Sequence, residues 1–194
     1  MLGDQAVGGS ALGQVGVGQV DIANDMGVIL LTIRTLESGG NYQAINRGDG
    51  QGDIASGAYQ FVTSTWNNYG GYKDAYLAPV ATQDNKAREY VTTILSSYGN
   101  RLVNIPYGWY YPAVFRNPAK LDQVPAEGEG NQLTIRQYGE KWVSTYSSIY
   151  QQVMGKAPDL STGPVPVGGV TTPGPSGSPT QNSSDAIYPI PGGV

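Results

Sequence analysis

Proton transfer in this chain falls to carboxylates, because its 194 residues include no histidine and no cysteine. Serine and cysteine nucleophiles that depend on a histidine base cannot be assembled. Zinc sites of the His/Cys type and disulfides are excluded as well. What remains is carboxylate chemistry, either acid–base work on glycosides or metal–carboxylate hydrolysis. Among the acidic residues Glu37 stands out by position. Met26, Ile29, Leu30, Ile33 and Leu36 recur at helical spacing, which predicts a helix over residues 25–38 with Asn24 or Asp25 at its start and Gly39-Gly40 ending it. Glu37 then lies in the last turn, against the negative end of the helix dipole, with apolar Ile33 and Leu36 four and one residues before it. Both the dipole and desolvation favour the protonated carboxyl, the form a general acid needs near neutral pH. A solvated glutamate at a helix end is the plainer alternative on position alone.

The rest of the chain falls into three zones. Residues 1–23 are Gly-rich without clear periodicity and read as an arm. Residues 24–155 carry regular helix and turn signals and read as one domain. Residues 156–194 hold eight of the 13 prolines, with Gly, Ser and Thr and no Lys or Arg beyond Lys156, and read as a linker or tail. Within the domain, residues 41–59 predict a long loop or small hairpin, and residues 63–69 a short helix. A longer helix is expected over residues 82–98, with Ala87, Val91, Ile94, Leu95 and Tyr98 facing inward. Residues 100–130, with four prolines, read as irregular. A last helix over residues 134–154 carries the stripe Ile135, Tyr138, Trp142, Tyr146, Ile149 and Val153. The fold class expected is mainly α, with one small β element.

Charge and hydropathy narrow the partners. A net charge of −4 gives no basic stripe for nucleic acid, and no run of 18 apolar residues offers a membrane span. The first 20 residues lack the charged and apolar regions of a secretory signal peptide. The 14 tyrosines offer flat apolar faces with polar tips, suited to sugar rings and wet clefts.

An ordered set of motifs surrounds Glu37. Glu37-Ser38-Gly39-Gly40-Asn41-Tyr42 is followed by Ala44-Ile45-Asn46, Gly57-Ala58-Tyr59-Gln60-Phe61, Thr65-Trp66 and Tyr69-Gly70-Gly71. This set resembles the resuscitation-promoting factor and transglycosylase-like family of the lysozyme-like superfamily, over roughly residues 30–95. The resemblance implies an α+β lysozyme-like domain that cleaves the glycan strands of peptidoglycan, with Glu37 as the general acid. It places Gln60 and Thr65 along the sugar-binding cleft and Tyr59 at its floor, where the family has Leu or another apolar residue. Trp66 is expected as a core anchor. Asn46 and Ser56 are expected either to hold the hairpin or to meet a substrate acetamide.

Three departures accompany the likeness. Leu36 stands where those proteins often have Cys, the insert at residues 47–55 is longer, and the chain continues well past the long helix through Trp109, Tyr110, Tyr111 and Phe115. A second carboxylate, if the chemistry uses one, would come from Asp49 or Asp53, for which a turn role is the simpler reading. No metal and no cofactor is expected. The lack of a recognisable signal and the two low-complexity ends suggest a phage virion, tail or endolysin protein acting at the bacterial wall, with other virion proteins as partners of the arms. The alternative is a virion structural protein whose lysozyme-like module only docks or binds glycan.

Overall fold

The apolar spacing of the first helix is realised in α1, Ile22–Ser38, whose Ile29 and Ile33 are fully buried. The computed structural model describes residues 22–47, 54–125 and 131–160. Residues 1–21 of the Gly-rich arm, Asp49, Asp53 and most of the Pro-rich tail lie outside these residues, and the last two residues of the expected arm, Ile22 and Ala23, belong to α1. Helix α1 ends as its glycines predict. Gly39 and Gly40 both have positive φ, and the Gly40 N–H reaches back to the Arg34 carbonyl at 2.9 Å.

A three-stranded antiparallel sheet follows, in the order β1 (Ile45–Asn46), β2 (Ala55–Ser56), β3 (Phe61–Val62), with Ile45 opposite Ser56 and Ser56 opposite Phe61. Helix α2, Thr63–Trp66, continues directly from β3, and single turns at Tyr69–Gly71 and Ala75–Leu77 lead to α3, Val80–Tyr98. Trp66 is wholly buried, its indole N–H donating to the Tyr72 carbonyl at 2.7 Å.

The stretch expected to be irregular contains α4, Asn104–Tyr110, every residue of which is buried. Pro106 sits in its first turn, where a missing N–H costs no helical bond. Asn104 ties this helix to the one before it by donating from Nδ2 to the carbonyls of Tyr98 and Gly99. After two further single turns, Pro112–Phe115 and Pro118–Asp122, comes α5, Ile135–Met154. Its start is a full capping box. Thr134 accepts from the Gln137 N–H, and the Gln137 side chain accepts from the Thr134 N–H.

Helix α5 packs along α1, and α4 wedges between α3 and α5. Trp142, Tyr146 and Tyr138 form the buried face of α5, while Val153 at its end and Tyr98 at the end of α3 are 58% and 37% exposed, against the expectation that both face inward. Each lies in the last turn of its helix. No helix of the described residues is long and apolar enough to cross a membrane.

Glycine sets two of the helix crossings. A Cβ on Gly108 would lie 2.5 Å from Ile94 Cγ2, and one on Gly139 would lie 2.7 Å from the Tyr107 ring. Gly27, by contrast, has open space around it on the exposed side of α1. Gly108→Ala and Gly139→Ala should each lower the denaturant midpoint, at a cost of about 1–3 kcal/mol from forced separation of packed helices. Gly27→Ala should raise it by about 0.5–1 kcal/mol through backbone entropy alone.

Candidate active site

The end of α1 is anchored to the turn between β2 and β3, so that Glu37 sits on a braced corner rather than a free helix terminus. Ser38 Oγ donates to the Ala58 carbonyl at 2.8 Å. Gln83 of α3, wholly buried, accepts the Ala58 N–H at 2.9 Å and donates to the carbonyls of Tyr42 and Ala78. Gly57 must be glycine here. Its φ is +76°, and a Cβ would stand 2.3 Å from Gln83 Oε1. One buried amide thus ties the loop after α1, the turn and the approach to α3 together.

Glu37 itself is only 4% exposed. The Tyr138 hydroxyl of α5 donates to its Oε1 at 2.6 Å, and the Tyr138 ring stacks on Tyr110 of α4 at 4.3 Å between centroids. Tyr110 is fixed in turn by donating to the Leu133 carbonyl. Burial pushes the Glu37 carboxyl up to about 7, while the Tyr138 hydrogen bond and the positive charge of Lys141 draw it down. Among the described residues, then, the polar and charged groups acting on Glu37 are a phenol and a cation, not a second carboxylate.

The other expected residues are distributed around the same corner. Gln60 is buried in the β2–β3 turn with φ +49°, an uncommon region for a residue with a side chain. Its Nε2 donates to the Gly57 carbonyl, and its Oε1 is buried without a hydrogen-bond partner. Tyr59 is buried, packs against Trp109 and Phe61, and donates to Asp84, which also accepts from Tyr42; Arg34 donates to the Tyr59 hydroxyl. Thr65 lies half-buried on α2. Asn46 and Ser56 are paired in the sheet, Asn46 opposite Ala55, and Ser56 Oγ accepts from the Tyr76 N–H. Asp53 lies outside the described residues, as does Asp49.

Sequence reasoning missed Tyr138, Tyr110 and Lys141 as neighbours of Glu37. Tyr138 was legible only as one member of a buried stripe, and nothing in the linear pattern pairs it with a residue 101 positions away. The aromatic run at Trp109 proves to be core. Its ring meets Tyr59, Phe61 and Tyr90, and so braces the site turn from behind.

A helix ending in a buried glutamate, a small antiparallel sheet beside it and further helices packed over it make a mainly helical α+β domain, consistent with a lysozyme-like fold. Residues 29–94, about one third of the chain, match the sequence model of the transglycosylase-like domain family, and the match takes in Glu37, the sheet and most of α3. No curated protein and no solved structure matches the chain.

The raised Glu37 carboxyl has a consequence for folding. The native state binds this proton more tightly than the unfolded chain, whose carboxyl titrates near 4.5. The stability it contributes is therefore complete below about pH 4.5 and is lost as pH rises through about 7. Glu37→Gln, which keeps an acceptor for Tyr138, should match the wild type at pH 4. At pH 8 it should be the more stable, by up to about 3 kcal/mol, in urea titrations.

Proposed function

We propose that this domain cleaves the β-1,4 bond between N-acetylmuramic acid and N-acetylglucosamine in peptidoglycan, as a lytic transglycosylase with Glu37 as the proton donor. The observation that carries the reading is the buried Glu37 carboxyl, titrating near 7 in a hydrogen bond with Tyr138, at the head of the segment that matches the transglycosylase-like family.

The chemistry follows from one carboxyl with two unequal oxygens. Oε1 is occupied by the Tyr138 hydroxyl, so the proton to be delivered is carried on Oε2. Glu37 gives it to the glycosidic oxygen as the C1–O4 bond breaks, releasing the N-acetylglucosamine end. The electron demand at C1 is met by the carbonyl oxygen of the muramyl acetamide, which closes an oxazolinium ring, so no second carboxylate is required. Glu37, now a carboxylate stabilised by the Tyr138 hydrogen bond, removes the proton of the muramyl C6 hydroxyl. The C6 oxygen then attacks C1 and reopens the acetamide, giving a 1,6-anhydro end. Were water to take the place of the C6 hydroxyl, the product would be a reducing end and the enzyme a muramidase. Gln60, with its unpartnered buried Oε1, and Thr65 are the side chains we assign to holding the glycan, with Tyr59 beneath them.

Purified peptidoglycan tests each step. Glu37→Gln should lower turnover by at least about a thousandfold; activity within a few-fold of wild type removes Glu37 from the mechanism. Wild-type kcat should fall as pH rises through about 7, since the acid must hold its proton. Tyr138→Phe removes an interaction that lowers the Glu37 value, so it should move that limb to higher pH while reducing kcat about tenfold. Mass spectrometry of the products should show anhydro ends.

A further inference from the structure

On the reading of Glu37 as the acid, the angle at which Tyr138 meets it matters as much as the contact, because a hydrogen bond weakens steeply as donor and acceptor lose alignment. The 2.6 Å bond fixes only the hydroxyl. The ring that carries it is held by Tyr110 of α4, which is 1% exposed and reaches α5 at two points. Its ring stacks on Tyr138 with centroids 4.3 Å apart and planes 25° apart, and its hydroxyl donates to the Leu133 carbonyl at 2.9 Å. Leu133 precedes Thr134, the cap of α5, so the two contacts span the start of that helix. Tyr107, three residues before Tyr110 and so on the same side of α4, meets α5 as well, since a Cβ on Gly139 would lie 2.7 Å from its ring. Helix α4 is itself fixed from behind. Gly108 lets it close on Ile94 of α3, and Asn104 donates to the carbonyls of Tyr98 and Gly99 where α3 ends.

Fixed to α3 on one side and gripping the start of α5 on the other, α4 makes Tyr110 a strut behind the Tyr138 ring. We propose that Tyr110 is a positioning residue of the reaction, which touches no substrate and holds the Tyr138 hydroxyl on Glu37 Oε1 while the carboxyl gives up its proton and takes one back. The demand is greatest once Glu37 is ionised. A hydrogen bond to a charged group is about twice as strong as one between neutral groups, and a buried carboxylate has no bulk water to fall back on. Among the described residues the titratable groups acting on Glu37 are Tyr138 and Lys141 of α5, its charge acts in turn on Tyr110 of α4, and α3 adds none to the set. A Tyr138 ring released by Tyr110 lets the bond to Glu37 lengthen or tilt. That bond draws the carboxyl down, so loosening it raises the carboxyl further.

Glu37 can be read directly by carbon-13 NMR of its side-chain carboxyl in the full chain, with the signal assigned by its loss in Glu37→Gln. Tyr110→Phe keeps the ring, its volume and the stack, and removes only the bond to Leu133. It should raise the Glu37 titration midpoint by about 0.5 in pH and lower kcat on purified peptidoglycan about threefold with KM unchanged. In a Tyr138→Phe background the same change should move neither quantity, because the group it positions is gone. Tyr110→Leu removes the stack as well and should raise the midpoint further. A shift in Tyr110→Leu alone assigns the positioning to the stack, and a shift in both variants to stack and hydroxyl together. A loss of stability in urea with the midpoint unmoved in both overturns the proposal. So does a fall in the midpoint, which makes Tyr110 a wall against water, or a Tyr110→Phe shift of equal size in the Tyr138→Phe background. Glu37→Gln turnover within a few-fold of wild type is a separate failure, which removes the acid and leaves the NMR midpoints to report on Tyr110 by themselves.

Discussion

A carboxyl group buried at 4% exposure and held by one phenol is the constraint around which the rest of this domain is arranged. Burial alone would drive a glutamate toward the protonated form. The Tyr138 hydroxyl and the Lys141 charge oppose that drive, and the balance leaves the carboxyl near 7, where it can both give and take a proton. Each opposing group comes from α5, so the packing of α5 against α1 is at once a core contact and the setting of the acid.

That setting requires a rigid corner, and the structure supplies one through polar groups rather than through the sheet. Strands of two residues contribute few ladder bonds. The β2–β3 turn is held instead by Ser38 from α1 and by Gln83 from α3, with Gly57 admitting the amide at a distance no side chain would permit. Trp109 of α4 seals the underside of Tyr59 and Phe61. Within that braced turn Gln60 keeps a left-handed backbone and an unpaired buried acceptor, both costly.

How much of this was readable beforehand depends on whether the information is local. The register of α1, its glycine stop and the place of Glu37 in its last turn all follow from spacing within about 15 residues. The sheet was visible only as a loop or hairpin, since two-residue strands leave no alternation to detect. Helix α4 escaped notice for a different reason. All seven of its residues are buried, so it has no polar face and no helical period, and its proline invites a reading as coil. Tyr98 and Val153 show the converse error, in which an apolar stripe continues past the point where a neighbouring helix covers it. Of the two influences read from the sequence for Glu37, the helix dipole and desolvation, burial is the one that acts most strongly.

The boundary of the family match marks a physical division as well. Residues 29–94 contain the acid, the turn and most of the helix that clamps the turn, yet they do not contain the groups that bury and tune the acid. Tyr110, Tyr138 and Lys141 all lie beyond residue 94. A glutamate on the matched segment alone would lose its phenol and the cover of α5, and a solvated carboxyl at a helix end returns toward its ordinary value near 4.5. In this chain the surroundings of Glu37 therefore extend at least through α5, and the extension is better understood as part of the candidate site than as an appendage to the matched segment.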